Sequence, residues 1–240
     1  MISIIPVKTN LIKPEDNLFQ VFKTSVKKEG VKMQDGDIVM IASKIISLTE
    51  KNFVKYKAKN KKQEQETLII KESDQILSKE YPFLTIKNGI VCPNGGVDES
   101  NTLSNTFILW PKDPFKSAQN FQKKLKKEYK LKNCGVILTD STCYPLKDGT
   151  IQIAIGFAGI EPVEDYRGHK DAFGRKMKIS KRSNVDTLAN AGGIVMGEGA
   201  EKTPFAIIKG AKIEFTNKKV NNNNIEKEKC IYSSLINSNI

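Results

Sequence analysis

The stretch from Cys134 to Arg175 reads CGVILTDSTCYPLKDGTIQIAIGFAGIEPVEDYRGHKDAFGR. It opens on an apolar run, Val136-Ile137-Leu138, of the kind that forms a buried strand. At the C-terminal end of that run stand four oxygen-bearing side chains, Thr139, Asp140, Ser141 and Thr142. A second apolar run, Ile151 to Ile160, carries Gly156 and Gly159, positions where another backbone can come close. The stretch closes on YRGHKDAFGR, dense in charge and punctuated by Gly168 and Gly174. The chain's three arginines, Arg167, Arg175 and Arg182, fall within 16 residues in or just beyond it, and the remaining positive charge is lysine. Forked, planar guanidinium groups suit phosphate or carboxylate; structural ion pairs are the plainer reading of the same cluster.

At 240 residues the chain is long enough for one large domain or two small ones with a real core. No apolar run approaches the roughly 20 residues that span a bilayer. The first residues, MISIIPVKTN, lack the charged start and small-residue cleavage site of a signal peptide, so a cytoplasmic protein with no membrane partner is expected. The four cysteines, Cys92, Cys134, Cys143 and Cys230, are scattered, and His169 is the only histidine. That argues against structural zinc and a disulfide framework, and leaves hard cations on oxygen ligands as the metals to consider. Net charge is +12, from 39 basic and 27 acidic side chains. Such a balance fits nucleic acid, small anionic substrates or a lysine-rich solvated surface. The runs Lys55 to Lys62 and Lys123 to Lys132 carry no arginine and no aromatics at stacking spacing, which speaks against a nucleic-acid partner.

Along the chain, residues 2 to 7 read as a strand, and Asp16 as the cap of a helix through Leu18, Phe19, Val21, Phe22 and Val26. Asp35-Gly36-Asp37 is a turn before a buried strand, Ile38 to Ala42, that ends at Ser43-Lys44. A helix is expected over about 64 to 80, then strands over 83–86, 89–92 and 107–110. Phe115, Ala118, Phe121, Leu125 and Tyr129 mark an amphipathic helix. Ser183-Asn184-Val185-Asp186 starts another, with a small-residue face that includes Gly192. From about Thr216 the composition turns to asparagine and lysine, so the expected organisation is one domain over 1–215 and a polar, partly disordered tail over 216–240.

Three loops share one grammar: each follows apolar structure and carries acidic or hydroxyl ligands, Asp98, then Asp140 with Ser141, then Glu198. Carboxylates from separate loops can converge on Mg²⁺ or Mn²⁺ that also hold substrate phosphates. The adjacent glycines, Gly95, Gly96, Gly197 and Gly199, let backbone amides approach a phosphate. The same acidic residues also serve as ordinary turn formers. No G-x-x-x-x-G-K-[ST] and no strand-borne G-x-G-x-x-G is present, and no nucleophile–histidine grouping can be argued.

The segments GVDESN, GVILTDS, IAIGFAGIEPVEDYRGHKDAFGR and LANAGGIVMGEG-x-x-x-TP-x-AIIKG resemble the coenzyme F420-0:L-glutamate ligase, or gamma-glutamyl ligase, family. The likeness runs from IIPVKT near the N-terminus to about residue 215, with the motifs in order. It implies an unusual α+β fold of mixed sheets and helices, an intertwined homodimer, and a GTP site with two divalent ions, Mg²⁺ or Mn²⁺, and K⁺ as a further ion. By position it implies Asp98, Asp140, Ser141 and Glu198 as metal ligands. It implies Ser43, Lys44, Asn101 and the loop Met196, Gly197, Gly199, Ala200, Glu201, Lys202 and Thr203 as nucleotide contacts, with Leu11, Ile12 and Lys13 beside them. The implied reaction joins L-glutamate to an anionic carboxylate acceptor, coenzyme F420-0 or a relative, through an acyl phosphate made from GTP. Arg167, Lys170 and Arg175 are candidates for holding these anions. Two positions depart from familiar members: Leu48 stands where they carry a lysine, and Thr142-Cys143-Tyr144 where they carry Asn-Gly-Arg or Phe-Gly-Arg. The departures resemble a divergent, bacterial-type branch. They leave open a ligase with another acceptor or with ATP, and a regulatory nucleotide-binding module that has lost turnover.

Overall fold

A computed structural model of the chain describes residues 1–220 and 222–237. In order it runs β1 (Ser3–Val7), α1 (Leu18–Lys28), β2 (Ile38–Ala42), α2 (Ser43–Thr49), β3 (Phe53–Lys55), α3 (Lys61–Glu72), β4 (Gln75–Ser78), β5 (Leu84–Lys87) and β6 (Ile90–Pro93). It continues through β7 (Thr106–Ile108), α4 (Pro114–Tyr129), β8 (Gly135–Cys143), β9 (Thr150–Ala158), β10 (Val163–Asp165), β11 (Lys181–Ser183), α5 (Asn184–Met196), β12 (Phe205–Lys209) and α6 (Ser233–Asn237). The architecture is mixed α+β: a five-stranded sheet ordered β1-β12-β2-β8-β9, a three-stranded sheet β4-β5-β6, and two-stranded pairs β3-β7 and β10-β11.

The central strand reads IVMIA because both of its faces are covered. Val39 and Ile41 join Val7, Phe22, Phe121, Val136, Leu138 and Phe205 in the core under α1 and α4. Ile38 and Met40 join Ile137, Phe157, Val185, Leu188, Ala206 and Ile208 under α5. Side chains two apart in a strand share a face, so each strand feeds both cores. Edge-to-face aromatic pairs lock the first core, Phe22 to Phe121 at 5.5 Å and Phe22 to Phe205 at 5.2 Å between ring centroids; each is worth about 0.5–1.5 kcal/mol beyond burial.

β9 is an edge strand, and α5 closes that edge. Gln152 N donates to Asn190 Oδ1 (3.2 Å) and Ala154 N to Asp186 Oδ1 (2.9 Å). Four residues of helix rise about 6 Å, close to two residues of strand, so acceptors four apart on α5 meet amides two apart on β9. An exposed edge invites pairing with other chains, and these side chains remove that opening. Glycines let the helix approach: an ideal Cβ at Gly192 would fall 2.0 Å from Met40 Sδ, and one at Gly193 would fall 2.4 Å from Gln152 Cγ.

Several local expectations change. Asn17, not Asp16, caps α1 by accepting from Gln20 N at 3.2 Å, while Asp16 accepts from Lys13 N. The helix expected over 64–80 ends at Glu72, and 75–78 become a strand. Ser73 turns its hydroxyl back onto Ile69 O (2.7 Å), which weakens helix continuation, and β5 offers an antiparallel partner with Ile76 opposite Thr85. Thr139 to Thr142 lie within β8 rather than beyond it, since pairing with β9 continues to Cys143 opposite Thr150. Residues 216–220 and 222–237 run from Gly159 (Thr216 N to its O, 3.1 Å) past Asn88, Gln75 and finally Tyr144, whose hydroxyl meets that of Tyr232 at 2.7 Å. Asn221 and residues 238–240, part of the expected tail, lie outside the described residues. No helix among the described residues is long and apolar enough to cross a membrane.

Candidate functional site

The site forms where strand registers end. β2 and β8 are parallel, with Ala42 opposite Thr139. The next pair is therefore Ser43 and Asp140. Ser43 begins α2, turned out of the strand after an extended Ala42, and its Oγ donates to Asp140 Oδ1 at 2.9 Å. On the other oxygen, Trp110 Nε1 donates to Asp140 Oδ2 at 2.5 Å. Asp140 is part-buried and its carboxyl is crowded by protein, which pushes its pKa up to about 6 against the two hydrogen bonds and the Lys44 charge.

Asp98 follows a glycine turn, Gly95 and Gly96, both in the left-handed region with φ of 59° and 69°. Its Oδ2 pairs with Lys44 Nζ at 2.6 Å, and Oδ1 accepts from Ser100 N at 2.8 Å. Burial acts to raise its pKa, but the Lys44 ammonium and the Ser100 donors win and hold it below the usual carboxylate range. Lys44 also donates to Ser100 Oγ at 2.6 Å.

Ser141 points to the opposite face of β8. Its Oγ donates to Glu198 Oε2 at 2.8 Å, and Gln152, directly opposite it on β9, donates to Ser141 Oγ (2.9 Å) and Glu198 Oε1 (2.6 Å). Thr139 and Thr142, the other two oxygen-bearing residues in the row, are 2% and 7% exposed and face inward. Asn101 Nδ2 donates to Gly199 O at 3.0 Å, joining the Asp98 loop to the glycine loop after α5. Thr9 N donates to Lys202 O at 2.8 Å, which carries Leu11, Ile12 and Lys13 to the same end of the sheet. Within this group Ile12 and Met196 are buried.

Asp98, Asp140, Ser141, Glu198, Ser43, Lys44, Asn101 and the 197–203 loop thus gather at one end of the molecule. Among the described residues no three His, Cys, Asp or Glu side chains approach closely enough to cage an ion by themselves. Each carboxylate instead holds a lysine, a serine, an amide or an indole. All the donors are oxygen atoms, drawn from the Asp98 loop, from β8 and from the loop after α5, a set that fits hard cations held by one or two carboxylates and completed by phosphate and water. Leu48 sits in the core at 7% exposure, packed among apolar side chains.

No hydrogen bond or ion pair joins Arg167, Lys170 or Arg175 to these residues among the described ones. They lie on the arm between β10 and β11, whose base adjoins the end of α5 opposite Glu198. Thirteen helical residues separate those ends, about 20 Å. Arg167 pairs with Asp165, Arg175 with Asp171 (3.1 Å) and Arg182 with Glu164. Sequence reasoning missed Trp110 and Gln152. Gln152 had a signal, a polar residue alternating with apolar neighbours in TIQIA; Trp110 had none.

The site defines a class: an α+β protein whose strand- and loop-borne acids lie beside a glycine-rich loop. The chain belongs to the F420-0:gamma-glutamyl ligase family, whose model matches residues 6–210. It is similar to the coenzyme F420:L-glutamate ligase of Methanocaldococcus jannaschii, 37% identical over 78% of this chain and 80% of that one. Similar relatives of the same description occur in Methanopyrus kandleri, 30% identical over 85% and 84%, and in Methanosarcina mazei, 34% identical over 85% and 83%.

Proposed function

We propose that the chain is a GTP- and divalent-metal-dependent ligase that adds L-glutamate to a carboxylate of coenzyme F420-0 or a related acceptor. The observation that carries this reading is the convergence of Asp98, Asp140 with Ser141, and Glu198 at one end of the sheet, in a chain of this family. The acceptor carboxylate attacks the γ-phosphorus of GTP, and GDP leaves. The glutamate amine then attacks the acyl phosphate carbon, the C–N bond forms as the C–O bond to phosphate breaks, and inorganic phosphate departs with the proton the amine gives up. In this reading Asp98, Asp140, Ser141 and Glu198 would hold Mg²⁺ or Mn²⁺, which would neutralise triphosphate charge and the charge that develops in transfer. Lys44 is the mobile cation of the site: it leaves Asp98 and turns to a phosphate. Asn101 and the 197–203 loop orient the nucleotide, and the glycines keep that loop free of side chains beside its phosphates. A net charge of +12 favours collection of three anionic substrates.

The homodimer belongs to the same proposal. Phe173 and Ile179 on the arm are 85% and 87% exposed, and a second copy that covers them brings Arg167, Lys170 and Arg175 towards its own site. Calorimetry with GTP and ATP, each with and without Mn²⁺, tests the reading, followed by product analysis with F420-0 and L-glutamate. GTP binding that requires Mn²⁺, with glutamylated product, is expected. ATP-only turnover would replace the nucleotide assignment; binding without turnover would leave a regulatory module.

A further inference from the structure

Trp110 is the chain's only tryptophan, and it is 3% exposed. A phenylalanine would fill the same core space without a polar group. A buried indole N–H requires a partner, and here the partner is the acid of the site, at 2.5 Å. Ser43 binds the other oxygen at 2.9 Å. A carboxylate offers about four acceptor positions, so these two donors fix its plane and leave a position free on each oxygen.

The indole is itself held from several sides. Gly96 lies flat against it: an ideal Cβ there would fall 2.5 Å from Nε1, and with φ of 69° the position already favours glycine. Asn52 Nδ2 donates to Trp110 O at 2.6 Å and fixes its backbone. Lys87 Nζ stands 5.8 Å from a ring centroid, and this lysine, 8% exposed, is anchored by Glu72 at 2.6 Å. A cation over the ring face is attracted to its quadrupole. The loop glycine beside Asp98 thereby supports the residue that orients Asp140, so the two acids share a support.

We infer that Trp110 is a positioning residue for Asp140: it aims the carboxylate at the ion, and Gly96 and Lys87 hold it in place. The inference rests on the ligase reading above. Groups one step removed from a metal typically change affinity 10- to 100-fold when lost. Trp110→Phe is therefore expected to weaken Mn²⁺ binding to the full chain about tenfold by electron paramagnetic resonance, with the melting temperature little changed. Lys87→Met, which keeps the indole, should weaken it by a smaller factor.

A second readout needs no metal. The chain gives one indole N–H signal in a ¹H–¹⁵N spectrum, and Asp140→Asn must move it. An unmoved signal, or Trp110→Phe and Lys87→Met chains that both bind Mn²⁺ as tightly as the natural one, overturns the inference. A natural chain that binds no Mn²⁺ even with GTP present overturns the metal reading and this role together. A signal that still moves would then leave only the Trp110–Asp140 hydrogen bond standing.

Discussion

Two regions of this molecule are dense in charge and bonded in opposite ways. At the site, Ser43 reaches Asp140, Lys44 reaches Asp98 and Ser100, Ser141 and Gln152 reach Glu198, and Asn101 reaches Gly199. Each of these bonds joins segments far apart in the chain, with the Ser100–Asp98 bond a local addition. On the arm between β10 and β11, Arg167 takes Asp165 and Arg175 takes Asp171, two and four residues away. Local pairs hold an extended arm in shape by itself. Long-range pairs between charged groups need a tertiary fold to hold them, and they place several acids in one partly dry space. Charge density alone singles out both regions, but only the first has the bonding of a site.

The largest effect that would sharpen this contrast is at Asp140. Asp140→Asn should lower turnover by more than about 100-fold and remove Mn²⁺ binding, yet raise the melting temperature at pH 8. Its carboxyl rises from 3.8 to about 6 in the folded state. Between those values the native chain holds more protons than the unfolded one, so stability is lost as pH rises and the full cost is present above about 6. The gain from asparagine should fade as pH falls towards 4, and thermal melts across that range check it. The same rise means that Mn²⁺ must displace a proton below about pH 6, and affinity should fall there.

Lys44→Met comes next. Without its ammonium the Asp98 carboxyl loses the charge that holds it low, and nucleotide affinity should fall about tenfold, which isothermal titration measures. Gly193→Ala should be milder: the methyl group would displace Gln152 Cγ, 2.4 Å away, and uncouple Ser141 from Glu198. A loss of Mn²⁺ affinity without loss of secondary structure is expected. The smallest effect on the isolated chain is at the arm. Arg175→Ala, at an exposed pair, should leave the melting temperature unchanged. If it lowers turnover nonetheless, and mixing with the Asp140→Asn chain restores activity, the arm serves a neighbouring copy. If turnover is also unchanged, the arm is a self-contained feature and the contrast is complete.

Much of the site was readable from residue order. Apolar runs closing on Asp140 and Ser141, a glycine turn before Asp98, and a glycine loop around Glu198 are local signals, and they fall within β8, after a turn and past the end of α5. The limits fell where partners decide. Residues 75–78 carry a pattern that suits helix or strand, and β5 settled it by offering a ladder. Trp110 became visible only when Gly96 and Asp140 closed on it.

By itself the sequence determined the two-faced strands, the amphipathic α1 and α4, the small-residue α5 and the identity of the acids, because period and side-chain chemistry are properties of neighbours in the chain. The tertiary structure alone decided that Ser43 stands beside Asp140, that Gln152 bridges Ser141 to Glu198, and that the arginine arm lies at the far end of α5. Those are matters of strand register and direction, and they are fixed by contacts between segments whose separation along the chain carries no signal of their meeting.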